Sequence, residues 1–219
     1  MQQPVCGNRK VLSFPRRGRA MSDRCLKQVL DYWETLRAGR AAPMRSELDP
    51  RRIEDALEYT FILERAGPGT TRIRIAGMHL CDLMGMETRG MSPASLLEPA
   101  DRGRFGALLD RLFAGREIIE LDLVARAQGR MSLSARMILL PMRSDLGEMT
   151  RALGCLVTDG IIGAPPRRFA IARQRITRIV SGAPAPHAAP GFAEPAPRFT
   201  PTEGKTGPHL RLVYMREED

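Results

Sequence analysis

The helix that decides the fold is written in "EPADRGRFGALLDRLFAGRE", residues 98–117. Apolar side chains recur there three and four residues apart, a spacing that places them on one face of a helix. These positions are Phe105, Leu108, Leu109 and Leu112. Gly115 follows as a stop, because glycine readily adopts the left-handed conformation that ends a helix. The stretch predicts one long helix with a single buried face.

The segment before this helix, residues 59–77, reads "YTFILERAGPGTTRIRIAG" and predicts a β-hairpin. Apolar residues alternate with more polar ones on both sides of a Gly-Pro-Gly turn, and such alternation is typical of strands with one buried face. The alternating positions are Tyr59, Phe61, Leu63, Ile73 and Ile75. Gly77 is predicted to end the hairpin.

A short helix is predicted directly after the hairpin, in "MHLCDLMG", residues 78–85. Leu80, Leu83 and Met84 share its apolar face, and Gly85 ends it. The helix would form one wall of the space between the sheet and the helices.

Three further strands are predicted after the long helix. Their sequences are "IIELDLVARA", "RMSLSARMILLPM" and "RALGCLVTD", separated by short turns. Period-two alternation assigns an inward set to each strand. The sets are Ile119, Leu121 and Leu123; Met131, Leu133, Met137 and Leu139; and Leu153, Cys155 and Val157.

The order of two strands, helices and three strands predicts an α+β fold. We expect a five-stranded antiparallel sheet with its helices gathered on one face. The predicted organisation is a disordered basic arm at 1–21, an N-terminal helical cap at 22–58, a core at 59–164, and a basic, Pro-rich tail at 165–219.

The N-terminal cap consists of two predicted helices. Ser22 is a good N-cap for a helix over 23–38, and Gly39 follows as its stop. Asp49 and Pro50 predict the start of a second, short helix with Ile53 and Leu57 on its inner face. The first helix carries an apolar stripe at Leu26, Val29, Leu30, Trp33 and Leu36. This stripe packs on the domain's own sheet, on a second copy of the chain, or on both.

The tail changes character after residue 164. Residues 166–180, "PRRFAIARQRITRIV", predict a short basic amphipathic helix or a solvated tail. Residues 181–208 contain seven prolines and few large apolar side chains, which predicts disorder. The patch "HLRLVYM" near the end has no partner that the sequence identifies.

Several local motifs resemble those of PAS domains, and the resemblance covers about residues 55–160. One motif opens the long helix, one spans the glycines of the preceding segment, and one lies in the last hairpin. The matching residues are Pro99, Asp101 and Arg102; Gly85 and Gly90; and Gly147, Gly154 and Asp159. The resemblance implies the PAS fold and a sensory role.

Upstream, "DYWETLRAGRAAPMRSELDP" resembles a family of stand-alone bacterial PAS proteins formerly described as a domain of unknown function. The matching residues are Tyr32, Trp33, Leu36, Arg37, Gly39, Arg40, Pro43, Arg45, Ser46, Asp49 and Pro50. This family is similar in lacking an attached kinase, cyclase or DNA-binding domain. It implies a sensor or adaptor without a defined ligand.

The net charge of +9 is not spread evenly along the chain. Residues 25–159 carry 19 basic and 19 acidic residues, so the excess lies in the flanks. A fold that binds nucleic acid should carry the positive charge itself, and we expect no nucleic-acid binding through the core.

No apolar run reaches the roughly 20 residues of a membrane span. Four unpaired cysteines fit a reduced, cytoplasmic protein.

His79 is the one histidine outside the tail, and Cys81 lies near it. Two residues apart on a helix, these side chains point in different directions, which argues against a metal site. Haem-binding PAS domains use an axial ligand near or within the long helix, and residues 99–116 contain no His, Cys or Met. The segment "METRGMSP" lacks the cysteine of flavin-adduct PAS domains. We expect no metal, no cofactor and an exposed or pocket-rim position for His79.

The sequence thus predicts a PAS sensor or adaptor that acts through a signalling partner, with a homodimer through Leu26, Leu30, Trp33 and Leu36 as a candidate contact. A small apolar metabolite is a further candidate, since methionine-lined interiors adapt to ligands. Its expected pocket lining is Leu80, Leu83, Met84, Leu121, Leu123, Met131, Met137 and Cys155.

The alternative is a protein that binds nucleic acid or an anionic membrane through its basic flanks. A salt titration of binding distinguishes this alternative from a sensor that contacts another protein. The sequence contains no phosphate loop, nucleophile–base pair or metal triad, so we do not expect an enzyme.

Overall fold

The computed structural model describes residues 17–126 and 132–182. Three α-helices, three short 3-10 helices and six strands lie in these ranges. The α-helices are α1 (Arg17–Arg37), α2 (Met78–Met84) and α3 (Pro99–Phe113), and the 3-10 helices are Arg45–Glu47, Pro50–Tyr59 and Pro93–Leu96. The strands are β1 (Thr60–Gly67), β2 (Thr70–Ala76), β3 (Glu117–Ala125), β4 (Leu133–Met142), β5 (Arg151–Asp159) and β6 (Ala170–Arg178).

All six strands form one antiparallel sheet in the order β2-β1-β5-β4-β3-β6. The predicted α+β fold is confirmed, and a sixth strand joins the five that were predicted. β6 lies where the sequence predicted a basic helix over 166–180, and that prediction is wrong. Its β-branched residues Ile171, Ile176 and Thr177 favour extended backbone, and pairing with β3 supplies hydrogen bonds that an isolated short helix lacks.

The two faces of the sheet are covered by different helices. α2 and α3 pack on one face, as predicted, and α1 packs on the other. The hairpin was expected to bury one face only, which is wrong for β1: Phe61 and Leu63 point toward α3, and Ile62 points toward α1. β2 keeps the predicted pattern at Ile73, but Ile75 is 48% exposed.

The first helix begins earlier than its sequence predicted. α1 starts at Arg17, so residues 17–21 belong to a helix and not to a disordered arm. Ser22 was predicted as the N-cap, but it is buried inside the helix. The helix ends at Arg37, and Gly39 follows with φ +81°, as a C-terminal glycine requires. The rest of the predicted arm, 1–16, lies outside the described residues.

The second part of the cap is a 3-10 helix at Pro50–Tyr59, with Asp49 as N-cap. The Asp49 carboxylate accepts a hydrogen bond from the Arg51 amide at 3.1 Å. Ile53 is buried as predicted, but its inward partner is Ala56, and Leu57 is 43% exposed. The Ile53 backbone is not helical (φ −128°, ψ 30°), so a kink interrupts the segment and the i, i+4 spacing that was expected to pair Ile53 with Leu57 does not hold.

The connection from β5 to β6 closes over α2. The Arg167 amide donates to the Leu83 carbonyl at 2.7 Å, and the Phe169 amide donates to the Leu96 carbonyl at 2.9 Å. Phe169 is fully buried between these elements. We call residues 160–169 the strap. The predicted disordered segment continues beyond 182, outside the described residues.

Candidate functional site

The predicted pocket residues come together on the face that α2 and α3 cover, with two exceptions. Leu80, Leu83 and Met84 of α2 share one apolar cluster with Leu121, Leu123 and Met137 of the sheet. Cys155 belongs to the cluster under α1 instead, and its assignment to this pocket is wrong. Met131 lies outside the described residues.

This face is filled by large side chains of the chain itself. Phe61, Phe105 and Phe169 are each at most 1% exposed, and they lie in the same cluster as the predicted pocket residues. The Phe61 ring lies against Gly154 so closely that a Cβ added there would sit 2.2 Å from its carbon atoms. Gly154 therefore leaves the space that Phe61 occupies. A ligand on this face would have to displace side chains that are already close-packed.

The predicted contact residues of α1 are divided between burial and partial exposure. Trp33 is fully buried, and its indole nitrogen donates to the Pro141 carbonyl of β4 at 2.9 Å. Leu26 is also buried, whereas Leu30 and Leu36 are half-buried. The Arg37 guanidinium lies 5.4 Å from the Trp33 ring centroid. Most of the stripe is therefore used by the domain's own sheet.

The motif at residues 32–50 ties the end of α1 to the loop that follows. The Asp49 amide donates to the Tyr32 hydroxyl at 2.7 Å, and Arg40 bonds the Glu47 carboxylate through Nη2 at 2.8 Å. The Arg143 amide of the β4 end donates to the Pro43 carbonyl at 2.9 Å. These motif residues hold α1 against the sheet, which is a structural role.

An open groove runs beside α1, on the side of β3 and β6. It consists of two adjoining hollows of about 170 and 190 Å³. Its helix wall is Asp23, Leu26, Lys27 and Leu30, and its sheet floor includes Glu120, Asp122, Arg136, Ile138, Arg173 and Arg175. We call this surface the α1 groove. It combines a narrow apolar wall with a floor of both charge signs.

Ion pairs connect the helix wall of the α1 groove to its floor. Arg136 pairs with Asp23 of α1 and approaches Asp122 of β3 at 3.6 Å. Arg175 of β6 lies 3.7 Å from Glu120. These charges are solvated and exchangeable, because exposed ion pairs contribute little stability and can be replaced by a partner's charges.

His79 lies at the rim between α2 and β5. Its Nε2 is 3.2 Å from the Thr158 hydroxyl, and its ring meets the Tyr59 ring edge-on at a centroid distance of 4.9 Å. Burial lowers the pKa of His79, and the nearby Glu58 and Asp82 carboxylates oppose that shift. Within residues 17–126 and 132–182, no group of three or more His, Cys, Asp or Glu side chains could hold a metal ion.

The buried thiols are poor nucleophiles. Burial raises the pKa of Cys25 and of Cys155, so both stay protonated near neutral pH. Burial and the hydrogen bond with Glu58 also raise the pKa of Tyr59 to about 12. The two thiols and the Tyr59 hydroxyl are therefore uncharged near neutral pH.

The comparison with protein families agrees with this architecture. A family model described as PAS domain matches residues 21–157, well over half of the chain. The chain belongs to the PAS domain family. PAS domains are signalling sensor modules, which agrees with the sensory role that the sequence implied. The match begins within α1, includes the 32–50 motif and ends within β5, before the strap and β6.

Solved structures that resemble the chain are also PAS and light-oxygen-voltage domains. A light-oxygen-voltage domain studied with a flavin analogue is 15% identical, with 50% of this chain and 83% of that chain covered and a TM-score of 0.38. The Rhodobacter sphaeroides light-oxygen-voltage protein is 16% identical, with coverage of 53% and 71% and a TM-score of 0.37.

The PAS domain of Bordetella pertussis BvgS is 19% identical, with coverage of 61% and 87% and a TM-score of 0.36. No curated protein matches the chain. The assignment to the PAS family therefore rests on the family match. No helix in the described part of the chain is long and apolar enough to cross a membrane.

The α1 groove and β6 were missed at the level of sequence. A short signal for β6 was present, because the polar residues Arg175 and Thr177 flank the apolar Ile176. The arginines favoured a basic helix in that prediction, although period-two alternation is the mark of a strand. The groove itself had no local signal, since its walls come from separate elements.

Proposed function

We propose that this PAS protein is a cytoplasmic sensor or adaptor of bacterial signalling that acts through contacts with another protein. The observation that supports the proposal is the contrast between a filled α2/α3 face and an open α1 groove. Protein contact sites commonly combine a small apolar centre with a polar rim. Leu30 and Ile138 supply such a centre, and the charges of the groove surround it.

We further propose that the protein works without a cofactor and is not an enzyme. The α2/α3 face holds Phe61, Phe105 and Phe169 where a ligand pocket was predicted. A small apolar metabolite would need Met84 and Met137 to change rotamer, which flexible thioether side chains permit at a cost in packing. Contact with a protein needs no such rearrangement.

Site-specific photo-crosslinking in cells tests the proposal. A photoreactive residue at Lys27, in the groove, should give one discrete adduct heavier than the chain. The adduct should disappear when Leu30→Asp is added, because the charge removes the apolar centre. The matched control places the same photoreactive residue at Met86, which is 57% exposed and lies outside the groove.

The mass of the adduct identifies the class of partner. Twice the mass of the chain indicates a homodimer, and another mass indicates a different signalling protein. Equal adducts from Lys27 and Met86, or none from Lys27 together with a tightly bound small molecule in native mass spectrometry, would contradict the proposal.

A second candidate function is binding of nucleic acid or an anionic membrane surface through the basic flanks. One observation favours it: residues 160–182 contain five arginines and no acidic residue. Counterion release makes such binding fall steeply with salt. Titrations of a DNA duplex and of anionic vesicles at 50 and 200 mM salt would show a loss of about a thousandfold if six or more arginines and lysines contact phosphates.

A further inference from the structure

β6 is an edge strand whose first outward backbone groups are already satisfied. The Ile171 amide donates to the Asp101 carboxylate at 3.0 Å, and the Ile171 carbonyl accepts from Arg104 Nη1 at 3.4 Å. Both partners belong to α3, on the side away from β3. The N-terminal turns of α3 therefore cover the beginning of the β6 edge.

Beyond these contacts, no element of residues 17–126 and 132–182 pairs with the edge. In an antiparallel pair, backbone groups point alternately toward the neighbouring strand and away from it. The Ile179 amide donates to the Arg116 carbonyl at 2.8 Å, toward β3, so the outward positions before it are Arg178, Ile176 and Gln174. Among the described residues, no strand pairs with the backbone groups at these three positions, although Arg104 Nε of α3 donates to the Gln174 side chain at 2.9 Å.

The charged side chains of β6 itself are all positive, and in the register with β3 they lie opposite Asp122, Glu120 and Glu117. Arg173, Arg175 and Arg178 lie on β6 and are exposed, in a segment that has no acidic residue between 160 and 182. Arg175 is 68% exposed and pairs with Glu120 at 3.7 Å, and Arg173 forms no ion pair with the described residues. An exposed edge with arginines repels another copy of itself, because like charges would lie opposite each other.

We propose that the open part of the β6 edge, residues 174–178, binds an extended acidic segment of a partner protein, which joins the sheet as a seventh strand. The inference rests on the proposed contact function and names the partner's chemistry. Backbone hydrogen bonds to the outward positions give strand addition, and the arginines select acidic side chains. The α1 groove, which Arg173 and Arg175 border, is continuous with this edge.

The test uses the full chain and a fluorescent heptapeptide in which Glu and Val alternate, followed by anisotropy. The peptide should bind, and amide exchange at Gln174 and Ile176 should slow when it does. Arg173→Glu/Arg175→Glu should weaken binding about tenfold or more, because the new carboxylates repel the acidic side chains of the peptide. The matched control is Arg72→Glu/Arg74→Glu on the other edge strand, β2, and should leave binding unchanged.

A second peptide tests the mode of binding. N-methylation of alternate residues removes the peptide's backbone donors but keeps its charge, so this peptide should bind at least about tenfold more weakly. Equal binding of the methylated peptide, equal loss in the β2 control variant, or tighter binding of a DNA duplex than of the acidic peptide would overturn the inference. Failure of the acidic peptide to bind a protein that still forms the Lys27 photo-crosslink would overturn the strand addition and leave the contact function standing.

Discussion

The two faces of the sheet share the same strands but differ in how much of each strand is covered. On one face α2, α3 and the strap bury a continuous apolar cluster, with Phe61, Phe105 and Phe169 at its centre. On the other face α1 covers β5 and β4 and leaves β3 and β6 beside a charged groove. A helix is about 10–12 Å wide and strands are about 4.8 Å apart, so one helix covers two or three strands. The number of helices on a face thus determines whether it becomes core or surface.

The largest effect is expected from removing the centre of the α1 side. Trp33→Ala should lower the free energy of unfolding by about 3–5 kcal/mol, because it empties a fully buried site and leaves the Pro141 carbonyl without its donor. Urea unfolding of the variant and the wild type measures this difference in free energy. Met21→Ala, on the same helix and 52% exposed, should change stability by less than about 0.5 kcal/mol. Equal stability of the two variants would show that α1 does not pack on the sheet.

A smaller effect is expected in the filled face. Gly154→Ala places a methyl group where the Phe61 ring lies and should cost about 1–3 kcal/mol. In a Phe61→Leu background the added cost of Gly154→Ala should shrink, which a double-mutant cycle measures. Gly67→Ala is the control, because a Cβ there meets nothing within 4 Å. Additive costs would mean that Phe61 and Gly154 do not share this space.

A change at the β6 edge should have a smaller effect on stability but a clear effect on amide hydrogen exchange. Asp101→Ala removes the acceptor of the Ile171 amide and should cost about 1 kcal/mol. Amide exchange should become faster at Ile171 and stay unchanged at Thr177, which faces β3. Asp110→Ala, a surface variant of the same helix that pairs with Arg65, should leave Ile171 unaffected. Unchanged exchange at Ile171 in the Asp101 variant would argue against the covered start of β6.

The smallest effect concerns pH at the rim of the filled face. Burial holds the pKa of His79 below its usual value of about 6.5, so the unfolded chain binds the proton more tightly than the folded one. Stability from His79 is therefore complete above about pH 6.5 and is lost as pH falls through the folded pKa. Thermal unfolding between about pH 7 and 5 should show a shallower decline for His79→Gln than for the wild type. A steeper decline for His79→Gln than for the wild type would mean that folding raises the pKa of His79.

Sequence periodicity predicted the elements that bury one face. Leu80, Leu83 and Met84 fall on one side of α2 because helical spacing allows no other arrangement, and Gly85 ends the helix with φ +71°. Leu121 and Leu123 likewise reach the α3 side, since polar or charged neighbours at 120 and 122 mark the other side of β3. These local patterns were sufficient wherever the opposite face is polar.

Periodicity did not predict the elements that are buried on both faces. In β5 nearly every residue is apolar, so alternation assigns two sets but does not say which set faces α3. Cys155 was placed with the pocket for that reason, and the register with β1 puts it under α1. Similarly, β6 has arginines on its exposed side, and only pairing with β3 distinguishes it from a basic helix.

The antiparallel pairing of β6 also has a mechanical consequence. Gly182, the last residue of the second described range, lies just beyond the Glu117–Arg178 pair that ends the β3–β6 ladder. A pull on Gly182 away from β3 first loads the Arg37–Val180 hydrogen bond and then opens the ladder pair by pair, as in a zipper. Such peeling concentrates the load on one pair at a time, whereas shear spreads it over the whole strand. Tension from that end could therefore detach β6 while the other five strands stay paired.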